Sequence, residues 1–208
     1  MTREHVNAAS SEKSANEVSS FIGFSERTKM KKRLSLQKLR RKIVLKLEVD
    51  DWREVWFFRP YKGVKGFLGT QDIIFVGLAP STGHFPSRYD RFFYEQLKKH
   101  GFANAHITDI VKVRMLGSAV EEFLGNQTAF DEQLRFLMKE IGIVAPKLIV
   151  GLGHRSYNLL EQKVKGYKLI ELRHYSTLRF PKNRAKLVRG MRAVEEAYRK
   201  EKLRGRRL

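Results

Sequence analysis

Asp72-Ile73-Ile74-Phe75-Val76-Gly77-Leu78-Ala79-Pro80 is the stretch that decides the fold. Residues 73–78 form a continuous apolar run, the pattern of a strand buried on both faces, and such strands belong to parallel sheets covered by helices. Gly and Pro then break the regular structure. Downstream the pattern alternates. Strands are expected at 105–113, 147–152 and 167–172, and helices at 90–100, 130–143, 156–163 and 183–202. Phe93 and Leu97 lie four apart on the first helix, Pro146 follows the second, and Asn183 caps the last. Strands interleaved with helices predict an α/β protein, a three-layer α/β/α domain with a mostly parallel four-stranded sheet. Ligands of such sheets bind beyond the carboxyl ends of the strands, which points to loops 79–89, 114–126, 153–155 and 173–182.

Upstream, residues 1–25 are polar and aperiodic and read as a disordered tail. Residues 26–70 read as a basic helical extension. Its main helix covers 29–47, with Met30, Leu34, Leu36, Leu39, Ile43 and Leu47 mostly at helical spacing. A second short helix is expected over 50–58, ended by Arg59-Pro60-Tyr61-Lys62-Gly63. Residues 71–208 form the α/β/α domain with a basic closing helix. The chain of 208 residues fits one domain at about 100–200 residues each. It has no cysteine, which excludes disulfides, zinc–cysteine sites and thiol nucleophiles. No membrane-length apolar run and no leader-like segment is present, so a cytoplasmic protein is expected, nucleoid-associated in a prokaryote.

Lys plus Arg total 42 against 22 Asp plus Glu, a net charge of +20. The excess is concentrated: residues 27–46 hold ten basic side chains and no acid, and residues 182–208 hold eleven basic and three acidic ones. A near-neutral body with two basic arms predicts a polyanionic partner, nucleic acid first, against the plainer reading of solvated helix faces.

Two loops carry candidate chemistry. Gly77-Leu78-Ala79-Pro80-Ser81-Thr82-Gly83-His84-Phe85-Pro86 follows the first strand, where Gly and Pro let backbone amides approach a ligand and Phe85 can stack on a flat ring. His174-Tyr175-Ser176-Thr177-Leu178-Arg179-Phe180 follows the last strand. His174 can donate to a developing anion, Ser176 and Thr177 can bind phosphate oxygens, and Leu178 at an exposed tip can wedge into a base stack. A third stretch, Gly151-Leu152-Gly153-His154-Arg155-Ser156, is a broken G-x-G-x-x-G with Glu171 twenty residues on, a weak dinucleotide-binding signal beside the simpler reading of a tight turn. The six histidines form no pair at metal-ligand spacing.

In order and strand context the two loops resemble the uracil-DNA glycosylase superfamily. The Gly77-Leu78-Ala79-Pro80 turn resembles its first motif, closest to the thermophilic G-L-A-P-A type, and His174-Tyr175-Ser176-Thr177-Leu178 resembles its second. Asp90-Arg91-Phe92-Phe93 is similar to a helix start in the mismatch-specific members. The resemblance implies a DNA repair glycosylase that flips a deaminated or mismatched base, uracil first, and hydrolyses its glycosidic bond without cofactor or metal. It implies double-stranded DNA as partner, no membrane contact and a monomer. His174 becomes the donor to the departing base. Gly77, Leu78, Ala79, Pro80, Ser81, Phe85 and Asp109 become the base site. Ser176, Thr177, Leu178 and Arg179 contact DNA, and Lys31, Lys32 and Arg33 of the first arm bind phosphate.

The chain departs from the family pattern in four places. Ala79 stands where some members position water with Asp or Asn, so Asp90 becomes the candidate for that role. Ser81 replaces a methyl-excluding Tyr, leaving room for a larger base. Asp109 stands where many members read uracil with Asn; an ionised carboxylate only accepts hydrogen bonds, so Asp109 is protonated, misses the base, or favours a base with an exocyclic amine. Tyr175 and Thr177 stand where many members have Pro. The alternative is a non-catalytic nucleic-acid-binding protein on the same fold.

Overall fold

A computed structural model describes the backbone of residues 6–50 and 54–204, with side chains from residue 25 onward. Four strands, β1 (Ile73–Gly77), β2 (His106–Asp109), β3 (Leu148–Leu152) and β4 (Leu169–Leu172), form one sheet in the order β2-β1-β3-β4. Every pairing is parallel. The helices are α1 (Val6–Val49), α2 (Arg88–Lys99), α3 (Gly117–Gly125), α4 (Gln127–Val144), α5 (His154–Lys163) and α6 (Pro181–Arg204). A 3₁₀ turn, Tyr175–Arg179, joins β4 to α6.

Strand residues alternate between two cores, as the two-residue side-chain period requires. Ile74, Val76 and Ile149 face the layer of α1, α4 and α5, among Leu137, Ile141 and Leu160. Ile73, Phe75, Ile107, Leu148 and Val150 face α2 and α6, among Phe93, Leu97, Leu187 and Met191. All five residues of β1 and of β3 are buried, so the three-layer α/β/α architecture is the one expected.

Beneath β2 the first core contains charge. Lys112 Nζ donates to Thr108 Oγ1 (2.7 Å), to the Asp109 carbonyl and to Glu140 (3.0 Å), while His106 pairs with Glu140 (3.2 Å) and with the Phe67 carbonyl (2.6 Å). Burial pushes the Glu140 carboxyl up, but Lys112 and His106 more than reverse it, so its pKa lies below the ordinary value. A buried charge must be paired in this way, because removing one partner strands the other in a low-dielectric interior.

Several expectations change. Helical backbone begins at Val6, within the stretch expected to be a disordered tail; residues 6–49 contain one glycine and no proline. Leu36, Leu39, Ile43 and Leu47 of α1 are buried, but Met30 and Leu34, assigned to the same face, are exposed. Residues 55–58 are extended, not helical, and Glu54 before them has φ +61°; Val55 bridges Val113, and Trp56 N donates to the Lys112 carbonyl (2.8 Å). The extended form sends adjacent Phe57 and Phe58 into opposite cores, which a helical turn cannot do. Trp52 lies outside the described residues. β2 is only four residues long, and α3, flanked by glycines at both ends, was not expected. Asn183 is not a cap: α6 starts at Pro181, and the Asn183 amide donates to the Thr177 carbonyl (2.9 Å). Proline at a first helical position loses no hydrogen bond, since that N–H has no partner in the helix.

Candidate active site

The carboxyl ends of β1, β3 and β4 surround a cavity of about 390 Å3 whose lining includes Leu78, Gly153, Arg155, Arg173, His174 and Ser176. Both motif loops therefore meet across the sheet. Gly153 has φ +86°, and a Cβ there would sit 3.1 Å from the His174 Cβ, so the glycine of the third loop makes room for the histidine of the fourth. That close approach accounts for Gly153 in the broken glycine motif without a dinucleotide. Glu171, the other part of that signal, pairs with His154 (3.2 Å).

His174 is half-buried and caps the 3₁₀ turn. Its Nδ1 accepts the Ser176 amide hydrogen (3.1 Å) and lies 2.7 Å from Ser176 Oγ. A nitrogen that accepts from an amide carries no proton, so the neutral ring is protonated at Nε2. Burial lowers its pKa from the usual imidazole range to about 4. His174 is thus a neutral Nε2–H donor at physiological pH. Ser176 and Thr177 build this arrangement: the Thr177 hydroxyl donates to the His174 carbonyl (2.8 Å). Leu178 is not an exposed wedge. It is 1% exposed and lies in the core beneath α6, because the tight 3₁₀ turn directs it inward. The exposed apolar residue of this loop is Phe180, with the Arg179 guanidinium 4.9 Å over its ring.

Asp109 ends β2 opposite Gly77, its parallel partner. A Cβ on Gly77 would lie 2.1 Å from Asp109 Oδ1, so any other residue at the first position of the turn would have to push the Asp109 carboxyl aside. Asp109 is buried, and its pKa is pushed up to about 7 by that burial; Lys112 opposes the shift, and Glu140 and Asp90 add to it. Ala79 is half-buried, Pro80 buried and Ser81 exposed. Phe85 is half-buried, edge-on to Trp56, Tyr61 and Tyr94 at 5.6–6.2 Å between centroids. The sequence missed Trp56 and Tyr61 as supports for this loop. It also missed Arg114, which lies 3.9 Å over Trp56 and donates to the Gly83 carbonyl (3.2 Å), tying the first two loops together.

Asp90 is structurally engaged. One oxygen accepts the Ser87 amide hydrogen (2.8 Å) while the Asp90 amide donates to Ser87 Oγ (3.2 Å), a capping box at the start of α2. Its carboxylate also receives the Tyr175 hydroxyl.

The basic arms occupy different places. α1 runs antiparallel to α4: Lys46 faces Glu132 near the start of α4 (3.8 Å), and Lys32 Nζ donates to the Val144 carbonyl at its end (2.6 Å). Residues 145–147 lead from there into the amino end of β3. Eighteen residues of α4 span about 27 Å at 1.5 Å per residue, so Lys31, Lys32 and Arg33 sit at the pole opposite the cavity. Lys32 thus caps the carboxyl end of α4, and burial lowers its pKa. α6 instead begins beside the cavity, with Lys182 and Arg184 exposed on its first turn. Two larger hollows, about 590 and 550 Å3, lie along α1, lined almost wholly by its own side chains.

Among the described residues, no group of three or more His, Asp or Glu is placed to hold a metal, and no helix is long and apolar enough to cross a membrane. No curated protein matches the chain. The family model for the uracil DNA glycosylase superfamily matches residues 66–197, a span that holds all four strands and both motif loops and points to DNA glycosylase activity in general. Covering more than half of the sequence, the match shows that the chain belongs to the uracil DNA glycosylase superfamily.

Proposed function

We propose that the chain is a monofunctional DNA glycosylase that excises a flipped, deaminated or mismatched base, with uracil the first substrate to test. The observation that carries this reading is His174: its Nδ1 is taken by the Ser176 amide, leaving Nε2–H as the donor of a neutral ring that lines the cavity shared with Leu78. As the glycosidic bond breaks, the base leaves with the bonding electrons and charge collects on its carbonyl oxygen. A preorganised donor aimed at that oxygen stabilises the transition state. Water adds to the sugar C1′ and gives its proton to a carboxylate. Asp90 is the residue proposed for that role, once its bond to Tyr175 opens.

Asp109 is proposed to read the base edge, and its protonation decides how. Protonated, it donates to a carbonyl such as that of uracil; ionised, it accepts from an exocyclic amine. With a pKa of about 7, the ratio of uracil to amine-bearing-base excision is expected to fall as pH rises through neutrality. Arg173, Arg179, Lys182 and Arg184 are proposed to hold the phosphate backbone. Phe180, in place of Leu178, is proposed as the wedge that fills the vacated stack.

The second reading, a nucleic-acid-binding protein without catalysis, is favoured by one observation: the Asp90 carboxylate is committed to a cap and to Tyr175. Duplexes carrying uracil, hypoxanthine, xanthine or a G:T mismatch, incubated with excess protein and then cleaved at abasic sites with alkali, separate the two. Strand cleavage on uracil supports the glycosylase. Tight binding with no cleavage on any of the four supports the second reading.

A further inference from the structure

Tyr175 follows His174 but does not line the cavity. It belongs to the loop after β4, yet its ring reaches across to α2 and lies flat on Phe93, with centroids 4.7 Å apart and planes 11° from parallel. His174 also stacks on it, at 4.6 Å and 19°. The hydroxyl at the inner edge is buried and donates to Asp90; it lies in the field of Asp109 and Tyr94, and burial with these neighbours raises its pKa well above the usual phenol range. The residue as a whole remains half-exposed. A flat ring, an aromatic floor and an inner edge read by carboxylates are what a binding slot for a flipped nucleobase requires.

We propose that Tyr175 occupies the base slot of the free protein, and that a flipped base enters by displacing it. The proposal rests on the glycosylase reading only for the location of the slot. The ligand class is a planar base with an N–H donor on its inner edge, since that edge must replace a hydroxyl donating to Asp90. Tyr175 is therefore a specificity residue: a base that cannot replace both the stacking on Phe93 and the bond to Asp90 does not dislodge it.

The test uses a duplex carrying 2′-fluoro-deoxyuridine, whose glycosidic bond resists cleavage, against the same duplex with thymidine. Affinity for both is measured for wild type, Tyr175→Ala and Tyr175→Phe, with a thermal melt of each protein. Removing the ring empties the slot, so Tyr175→Ala is expected to raise the preference for the fluorouridine duplex about tenfold, that is, by about 1.4 kcal/mol. Tyr175→Phe keeps the ring and loses the bond to Asp90, so a smaller gain of about threefold is expected, on the order of 0.6 kcal/mol. A folded Tyr175→Ala whose preference is unchanged or lower overturns the proposal and leaves Tyr175 as a wall of the site. If Tyr175→Ala does not fold, Tyr175→Phe decides by the same criterion. Because the probe is not cut, a raised preference in variants that release no uracil supports the slot while refuting the glycosylase reading.

Discussion

The two basic helices carry similar charge and hold opposite positions. α6 starts where the His174 loop ends, so the exposed Lys182 and Arg184 stand beside the cavity. α1 docks along α4 with its most basic stretch at the far end, where Lys32 is consumed by the Val144 carbonyl. Charge counting treats the two arms alike; topology separates them. A duplex seated at the carboxyl ends of the strands meets the first turn of α6 and not residues 31–33. The poles also differ in what their charges do. At the carboxyl end of β2, Asp109 is held in a buried position that favours its protonated form. At the opposite pole Lys32 satisfies a helix end and stabilises the fold.

The largest effect on binding should come from the α6 side. Replacing Arg179, Lys182 and Arg184 with Ala is expected to flatten the slope of log affinity against log salt by up to about 3 and to weaken undamaged-duplex binding on the order of 10²-fold near physiological salt, if all three touch phosphate. Filter-binding titrations across a salt series measure both. An unaltered slope would remove α6 from the footprint and erase the contrast between the arms.

Next in size is the stability cost at Asp109. A carboxyl whose folded pKa is raised holds its proton after the unfolded chain has released its own. Stability therefore declines as pH rises from the ordinary carboxylate range, 3.8, to about 7, and is level above that. Asp109→Asn removes the decline, so the melting temperature of the variant relative to wild type should be higher at about pH 8 than at about pH 4.5. The same variant should raise uracil excision relative to amine-bearing bases. A pH-independent difference in melting temperature would mean that Asp109 is ionised throughout.

Lys32→Met tests the opposite pole. Losing a charged donor to a buried helix carbonyl should cost about 1–2 kcal/mol and lower the melting temperature by several degrees, with the DNA salt slope unchanged. The smallest effect is expected from Lys31→Ala with Arg33→Ala, which should alter neither melting temperature nor salt slope. A flattened slope for this pair would place α1 on the DNA after all.

β1 and β3 were legible because burial on both faces leaves no polar positions in them; residues 73–78 and 147–152 could be read on sight. β2 was overextended because Ile110, Val111 and Val113 stay apolar and buried after the chain leaves the sheet to bring Lys112 back under Asp109. His174 was legible from its motif, but its protonation state depends on a turn that only coordinates display. Leu178 was misread because apolar character at a loop tip says nothing of the direction a 3₁₀ turn imposes. The role of Lys32 had no local signal at all, since its partner lies 112 residues away. The same holds for Tyr175, whose stacking partner Phe93 and hydroxyl partner Asp90 both sit on a different helix.

The central claim is that His174 works as a neutral donor to the departing base. Single-turnover release of uracil from a duplex, at saturating protein, compares wild type with His174→Ala. The account predicts a rate lower by on the order of 10²–10³, with affinity for undamaged duplex nearly unchanged because phosphates supply it. A variant that releases uracil within a few-fold of the wild-type rate would contradict it.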